Sequence, residues 1–135
     1  MPTVSDIMGN EIPPTVECRS LLPMMKDPSL PGYEHVFSSS SFVNAGGTDK
    51  SVDSVLRYTE HDSMATVTTE EWTLLYDTAP GGSELYNLKS DPKQEKNVIS
   101  QHPDVARELH QLFVKHMRER NVPQRFLEPR LELRL

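Results

Sequence analysis

The chain has 135 residues and a formal net charge of −6, which fits one domain of ordinary size and disfavours nucleic acid or another polyanion as a non-specific partner. Hydrophobic residues make up 36% and aromatic residues 7%, and 11 prolines interrupt the chain, so we expect a small core and many loops. The single cysteine excludes an internal disulfide and a multi-cysteine zinc site, and no apolar run approaches the roughly 20 residues of a membrane span.

The first half of the chain predicts short elements separated by loops. A helix over residues 2–8 places Val4, Ile7 and Met8 on one face and ends at Gly9, a residue type that favours helix termini. The other expectations for this half are an apolar segment at 18–25, a loop at 26–34, a strand suited to a sheet edge at 36–42, a turn or mobile loop at 44–50 and a short strand or turn at 54–58.

The stretch from Trp72 to Leu88 predicts a hairpin. Trp72, Leu74 and Tyr76 fall on one face because side chains alternate along a strand, and Pro-Gly-Gly at 80–82 supplies the reversal. A β-branched run precedes the hairpin. The sequence therefore predicts a meander of three strands, at about 64–69, 71–77 and 83–88.

A short helical turn is predicted directly after the meander. Asp91 is a suitable N-cap, Pro92 suits the first helical position, and Gln94 can close a capping box. We expect this turn to end near residue 98.

The longest helix is predicted from His102 to about Arg120, with Asn121 and Pro123 ending it. Its apolar stripe is Val105, Leu109, Leu112, Phe113 and Met117. Residues 125–135 have the pattern of a tail or an added strand. The predicted fold class is α+β: a small antiparallel sheet of three to four strands packed against a long C-terminal helix, with a loop-rich N-terminal segment.

Four segments, taken in chain order, resemble the C-terminal part of sulfatases, a family of the alkaline-phosphatase-like superfamily. Pro-Thr-Val-Ser-Asp-Ile-Met-Gly at 2–9 resembles the family's Pro-Thr-Leu-Leu-Asp-Leu-Ala-Gly, and Cys-Arg-Ser-Leu-Leu-Pro at 18–23 resembles its Gly-Arg-Ser-Leu-Leu-Pro. Trp-Thr-Leu-Leu-Tyr at 72–76 resembles Trp-Lys-Leu-Ile-Tyr. Glu-Leu-Tyr-Asn-Leu, then Asp-Pro-Lys-Gln and Asn within 84–97, resembles Glu-Leu-Tyr-Asp-Leu…Asp-Pro-x-Glu-x-x-Asn. Thr68 stands where the family often has arginine.

The resemblance implies an architecture and a partner. The layout is similar to enzymes such as N-sulphoglucosamine sulphohydrolase and iduronate 2-sulfatase, in which this region packs against a large catalytic α/β domain. Residues 1–50 would be the edge of that catalytic domain, 51–122 the C-terminal subdomain of meander and helix, and 123–135 a tail. The expected partner is the sulfatase catalytic domain or a second copy of the chain, with neither nucleic acid nor a membrane. No signal peptide is visible, so the cytosol is the default compartment, although the family is often exported or lysosomal.

The family's chemistry needs Cys or Ser in Cys/Ser-x-Pro-x-Arg, oxidised to formylglycine, beside a divalent cation, typically calcium, held by Asp and Asn. The hydrated aldehyde attacks sulfur while fixed positive charge stabilises the transition state. Neither Cys18 nor Ser29 is followed by the required Pro and Arg, and in the family this machinery lies upstream of the segment at 2–9. We assign no catalytic, metal or cofactor-binding residue, and we expect a sulfatase fragment that is inactive alone.

Several side chains invite a functional assignment, and each has a plainer alternative. The histidines lack the tight spacing of metal ligands, and we expect surface or capping roles for His35, His61, His102, His110 and His116. Cys18 fits a small semi-buried side chain better than a nucleophile. An acidic group could attract a cation but fits a solvated loop better: Asp49, Asp53, Glu60 and Asp62.

Two further groups are open to two interpretations. The serines at 38–41 could be phosphorylated, but a polar edge strand is favoured. The aromatic rings of Trp72, Tyr76 and Tyr86 could stack on a sugar, but packing under the C-terminal helix is favoured.

Three functions remain to be compared. The first is a C-terminal sulfatase subdomain, and the second is a free-standing interaction or self-associating module. The sheet face opposite the long helix discriminates them, because a large apolar patch there would indicate a lost or alternative partner. The third, a small enzyme of unrelated mechanism, has no nucleophile–base pair or metal cluster to support it.

Overall fold

A computed structural model describes the backbone of residues 2–16, 18–39, 48–50, 56–58 and 64–135. The chain divides into two compact units, Met1–Tyr33 and Glu34–Leu135, which we name the N-terminal unit and the sheet unit. The elements in chain order are α1 (Pro2–Ile7), α2 (Leu22–Lys26), β1 (Val36–Ser39), β2 (Thr48–Lys50), β3 (Leu56–Tyr58), β4 (Ala65–Thr68), β5 (Trp72–Tyr76), β6 (Glu84–Asn87), α3 (Pro103–Glu119), α4 (Gln124–Leu127) and a 3₁₀ turn (Glu128–Arg130).

Within the described residues, four strands form one antiparallel sheet in the order β1-β4-β5-β6. This confirms the α+β class and the meander, and it places β1 at a sheet edge. The central register aligns Val67, Leu74 and Leu85 across three strands. These side chains lie on the face that packs against α3.

A separate two-stranded pairing joins β2 and β3. Its antiparallel register pairs Thr48 with Tyr58 and Lys50 with Leu56. The expected turn or mobile loop at 44–50 is therefore wrong for its last three residues, because their backbone is paired in a ladder. The rest of that prediction lies outside the described residues.

One hydrophobic core lies between the four-stranded sheet and the helical segments that follow it. Its buried members are Ala65, Val67, Leu74, Tyr76, Leu85, Ala106, Leu109, Phe113, Val114, Met117 and Leu127. Trp72, Val105 and Leu112 pack against this core while partly exposed. Trp72 and Leu109 therefore belong to the same packed region, as a sheet covered by an amphipathic helix requires.

The last residues do not form the expected tail or added strand. Residues 124–130 form helical turns, and Leu127 is a buried member of the core. Leucine alternates with charged residues at 131–135, which is the period of a strand. In the structure this stretch follows the 3₁₀ turn that ends at Arg130. Asn121, at φ +52°, lies in the left-handed region that ends α3 before this segment begins.

Candidate interaction surface

Apolar side chains of the N-terminal unit are exposed along one side of α1. Val4, Ile7 and Met8 are 52%, 58% and 68% exposed, and their spacing puts them on one helix side. The buried residue of α1 is Pro2. A helix of six residues is not stable in isolation, so its apolar side needs a packing neighbour.

A second exposed apolar group lies around α2, and it consists of Leu21, Met25, Leu30 and Tyr33. None of the α2 residues is buried. The Leu21 N–H donates to Thr3 Oγ1 at 3.0 Å, and the Arg19 guanidinium lies 4.1 Å above the Tyr33 ring. Polar and cation–π contacts thus connect parts of this unit, while several of its large apolar side chains are exposed, a feature found at protein contact sites.

The outer face of the four-stranded sheet, opposite α3, is largely polar. It carries hydroxyl and carboxylate side chains, with a few apolar or aromatic ones: Ser38, Thr66, Thr68, Thr73, Glu84, Val36, Leu75 and Tyr86. Much of this polarity is satisfied locally, because Thr66 Oγ1 donates to the Ser38 carbonyl oxygen at 3.4 Å and Tyr86 donates to Glu84 at 2.6 Å. Among the described residues of this face, Val36 is the large apolar side chain that is mostly exposed.

Thr68 and Thr73 are opposite each other in the β4–β5 ladder, with their Oγ1 atoms 2.9 Å apart. These are the two positions where the family's motifs have arginine and lysine. Thr73 is buried, so a cation there would lose hydration. In this chain both positions carry threonine, and the two hydroxyls form a hydrogen bond with each other.

The Pro-Gly-Gly reversal between β5 and β6 is organised around Asp77. Its Oδ1 accepts from the Ala79 N–H at 2.9 Å, and the Ser83 hydroxyl bridges the backbone N–H and carbonyl of Asp77. Gly81 has φ +71°, which explains a glycine there. Gly82 lies so close to the Asp77 carboxyl that a Cβ would be 3.0 Å from Cγ.

The segment from Asp91 to Asn97 is a turn, so the predicted helix with its capping box is wrong. Gln94 has φ +56°, which no helical N3 residue adopts, and Asp91 Oδ2 instead accepts from the Lys96 N–H at 2.9 Å. The backbone N–H groups of Lys96 and Glu95 hold the pKa of Asp91 below its ordinary 3.8.

Asn97 connects this turn to the sheet. Its Oδ1 accepts from the Leu85 N–H at 3.1 Å and from the Ile99 N–H at 3.0 Å, while the Val98 N–H donates to the Leu85 carbonyl. The outer edge of β6 is therefore paired with side-chain and backbone groups. Asp91 and Asn97, the acidic and amide residues of the sulfatase-like motif, thus stabilise the turn and the edge of the sheet.

The three aromatic residues of the hairpin have different environments. Tyr76 is buried beneath α3, 5.5 Å from the Phe113 ring, and Trp72 is 5.0 Å from His102 at the start of that helix. Tyr86 contradicts the expectation of packing under the helix, because it follows Leu85 and so lies on the outer face. The hydrogen bond to Glu84, with burial and the nearby negative charges, raises the pKa of Tyr86 to about 12.

The histidines are mostly ring-packing residues. His116 stacks on Phe37 at 4.0 Å, and His35 meets the same ring edge-on at 5.0 Å. His110 is buried, contrary to the expected surface or capping role, and its Nε2 donates to the Arg130 carbonyl oxygen at 3.0 Å. Burial lowers the pKa of His110 below its ordinary 6.5, although the hydrogen bond to Arg130 opposes the shift. His61 lies outside the described residues.

The remaining predicted candidates separate into those with described side chains and those without. Cys18 is exposed, not semi-buried, because the N-terminal unit has no core to cover it. Ser38 and Ser39 are exposed on edge strand β1, whereas Ser40 and Ser41 lie outside the described residues. The acidic group at 49, 53, 60 and 62 has no described side chains.

Among the residues that the structure describes, no three His, Cys, Asp or Glu side chains come together as a possible metal site. No helix in the described ranges has the length and apolar character needed to cross a membrane. Ser29 Oγ donates to Asp27 Oδ1 at 2.7 Å in an exposed turn, where the Ser29 N–H donates to the same oxygen. The described arrangement therefore offers exposed apolar side chains and a hydrogen-bonded scaffold.

No protein-family model matches this chain, and no curated protein matches its sequence. Solved structures do match. A 2-O GAG sulfatase has a TM-score of 0.67 and 19% identity over 92% of this chain and 25% of its own. A protein in complex with its substrate D-glucosamine-2-N,6-O-disulfate has a TM-score of 0.65 and 18% identity over 97% of this chain and 24% of its own.

A third match is the phosphonate monoester hydrolase from Silicibacter pomeroyi, with a TM-score of 0.61 and 22% identity over 87% of this chain and 24% of its own. The chain thus spans about a quarter of the length of the solved structures that it matches. At these identities the likeness shows the fold, which is one found within sulfatases.

Proposed function

We propose that this chain is the C-terminal part of a sulfatase-like sulfuric ester hydrolase and that it is inactive without the catalytic body. The observation that carries the proposal is the match of 92% of this chain to one quarter of a 2-O GAG sulfatase. The four ordered motifs support it independently, because they rest on residue identities and not on the fold. A layout like that of N-sulphoglucosamine sulphohydrolase or iduronate 2-sulfatase is part of the same proposal.

The motif nearest the end of the meander supports a structural role for this region. Asp91 and Asn97 use their side-chain oxygens on backbone N–H groups of the turn and of β6. These hydrogen bonds fix the conformation of the turn and of the sheet edge, and a subdomain that completes a substrate cleft needs a fixed conformation. The two side chains are not free to take part in ester hydrolysis.

The proposed contact with the catalytic body uses the apolar surface of the N-terminal unit. Val4, Ile7 and Met8, in and directly after α1, and Met25 of α2 are exposed, and Pro2 is the buried residue that these two short helices contain. Fully burying such a side chain contributes roughly 1.5–3 kcal/mol. These four are half to two-thirds exposed, so each would contribute about half of that on docking. The N-terminal unit would then belong to the edge of the catalytic domain, and the sheet unit would be the C-terminal subdomain. Strand β1 pairs with β4, so this subdomain begins before the expected boundary at residue 51.

A divalent cation and formylglycine would be supplied by the catalytic body. The described side chains of this chain do not form the carboxylate and amide cluster that a hard divalent cation requires. Fixed positive charge for the sulfate ester would likewise come from the body. The proposed contribution of this chain is to complete the fold and shape the substrate cleft.

The first experiment assays the purified chain against an aryl sulfate with added calcium. We expect no turnover above a heat-denatured sample. Turnover that a single substitution in this chain abolishes would overturn the proposal, because it would place the reactive group here.

The second experiment determines the genomic DNA upstream of this coding sequence. A reading frame that ends in the nucleophile-bearing domain supports the proposal. Co-expression of that domain with this chain should give a complex, and Met25→Ser should weaken it more than Met64→Ser, since both residues are exposed methionines but the second belongs to the sheet unit. Equal binding by both variants would contradict the assigned docking surface.

Self-association is the second candidate function, and the same exposed apolar surface favours it. Sedimentation of the full chain over a range of concentrations would detect a dimer. In that case Met8→Ser should shift the equilibrium toward monomer and Met64→Ser should not. A monomer at all concentrations would leave the catalytic body as the partner of this surface.

A further inference from the structure

The C-terminal segment (residues 124–135) is attached to the sheet unit by side-chain hydrogen bonds to its backbone. The Tyr76 hydroxyl donates to the Glu132 carbonyl oxygen at 2.9 Å, and His110 Nε2 donates to the Arg130 carbonyl oxygen at 3.0 Å. Inside the segment, Arg130 Nη1 donates to the Phe126 carbonyl oxygen at 2.9 Å. Leu127 adds an apolar anchor in the core.

His110 lies at the centre of this attachment. Its ring is 4.8 Å from the Tyr76 ring of β5, and the Arg130 carbonyl faces Nε2 from the C-terminal segment. The residue is 5% exposed, so the segment and β5 together exclude water from an ionisable ring.

Charged groups on α3 and on the segment have hydrogen-bond or ion-pair partners of their own, and the Arg130 side chain is itself fully buried. On α3 itself, Arg107 is exposed and pairs with Asp104 at 2.7 Å. On the segment, the Glu132 carboxylate is 3.9 Å from Arg134, and the Arg130 guanidinium bonds the Phe126 carbonyl. In the described part of the chain, no hydrogen bond or ion pair links a carboxylate to the His110 ring, so a charged imidazole would lack a counter-ion there.

We propose that His110 makes the C-terminal segment an acid-released latch, in which uptake of one proton from solvent opens residues 124–135 while the sheet and α3 stay folded. A neutral imidazole donates one hydrogen bond and tolerates burial. A charged imidazole is stabilised by water, and displacing the segment gives the ring access to water.

The direction of the pH effect follows from linkage. Burial lowers the pKa of His110 below 6.5 in the closed form, and opening returns it toward 6.5, so the open form binds more protons. The closed form is therefore fully favoured above pH 6.5 and loses its advantage as the pH falls below that value. One proton changes the closed-to-open ratio by at most about tenfold for each pH unit.

Opening is expected to be local because few core residues belong to the segment. The segment contributes the buried side chains of Leu127 and Arg130 and the partly buried Leu133, whereas the other buried apolar core members lie in the strands and in α3. Terminal elements of this kind open at lower free energy than the central strands. The latch is independent of the proposed sulfatase role.

Hydrogen–deuterium exchange of the full chain at about pH 7.5 and about pH 5.5, corrected for intrinsic amide rates, tests the latch. The wild-type protein should lose protection by up to about tenfold in residues 124–135, with β4, β5 and α3 unchanged. His110→Gln, which keeps a donor but does not titrate, should remove this pH dependence. His116→Gln, a change of a partly exposed histidine on the same helix, should keep it.

Equal protection of the segment at both pH values, or a loss that persists in His110→Gln, would overturn the latch. Simultaneous loss of protection in the whole sheet unit would also overturn it, since that is global unfolding. If His110→Gln does not fold, an NMR titration of the His110 ring decides. Leu127→Ala, which weakens the anchor, should raise the ring's pKa toward 6.5, and an unchanged pKa would contradict the proposal.

Discussion

The hydroxyl of Tyr76, in the central strand β5, donates a hydrogen bond of 2.9 Å to the carbonyl oxygen of Glu132, which lies 56 residues further along the chain. This bond passes from the middle of the sheet to the last residues of the protein. It makes the C-terminal segment part of the folded unit. The aromatic residue that the hairpin pattern predicts to be buried thus also fixes the chain end.

Replacing Tyr76 with phenylalanine tests this bond. The ring keeps its packing with Phe113, but the Glu132 carbonyl loses its donor. We expect the free energy of unfolding to fall by about 1 kcal/mol, measured by urea denaturation. Tyr33→Phe is the control, because that ring is exposed in the N-terminal unit, and it should change stability by less than about 0.5 kcal/mol. Equal effects of the two changes would show that the bond contributes nothing.

Two leucines of the C-terminal segment provide a second test. Leu127 is buried in the core and Leu131 is exposed. Leu127→Ala should lower the free energy of unfolding by roughly 2–4 kcal/mol, since it leaves a cavity, and Leu131→Ala should cost less than about 0.5 kcal/mol. Thermal denaturation of both variants measures the difference. A segment that behaved as a tail would give small effects at both positions.

The sequence predicted the parts of the fold that have strong periodicity. Trp72, Leu74 and Tyr76 alternate as a strand, and the stripe from Val105 to Met117 follows a helix, because apolar burial imposes those periods. The meander and its cover could be predicted for this reason.

The failures have local physical causes. His110 is polar, so its position on the core side of α3 did not indicate burial, and its acceptor, the Arg130 carbonyl, is 20 residues away. Asp-Pro at 91–92 favours the start of a helix, but Gln94 adopts φ +56°, which a helix does not allow. Cys18 is exposed because the N-terminal unit buries little. In each case the deciding partner is distant or absent from the local pattern.

The hairpin turn predicts different effects at two glycines. A Cβ on Gly82 would lie 3.0 Å from the Asp77 carboxyl, which is held by the Ala79 N–H, whereas a Cβ on Gly32 meets nothing within 4 Å. Gly82→Ala should therefore lower the free energy of unfolding by about 1–3 kcal/mol, and Gly32→Ala should change it by less than about 0.5 kcal/mol. Chemical denaturation compares the two. A neutral Gly82→Ala would show that Asp77 moves aside freely.

Substituting Asn97 with alanine and with aspartate tests its role as a hydrogen-bond acceptor. Its Oδ1 accepts from the N–H groups of Leu85 and Ile99, and the first of these is part-buried in the sheet edge. Asn97→Ala should cost about 1–3 kcal/mol because the Leu85 N–H loses its acceptor. Asn97→Asp keeps an oxygen at that place and should recover most of the loss at neutral pH. If the aspartate is as damaging as the alanine, the role of Asn97 is not that of an acceptor.

The Tyr86–Glu84 pair predicts a pH dependence at the alkaline end. The pKa of Tyr86 rises from 10.0 to about 12, first because its hydroxyl donates to Glu84, so the folded state holds the phenol proton more tightly. The stability that this pair contributes is fully present below pH 10 and is lost as the pH rises through 12. Because Tyr86→Phe lacks the titrating group, the difference in unfolding free energy between wild type and variant should shrink over that window. Ultraviolet absorbance should show Tyr86, identified as the component that Tyr86→Phe removes, ionising about two pH units late in the wild type, because its pKa is raised to about 12. Glu84→Gln should bring that pKa back toward 10. A pKa near 10 for the component that Tyr86→Phe removes would contradict the assignment.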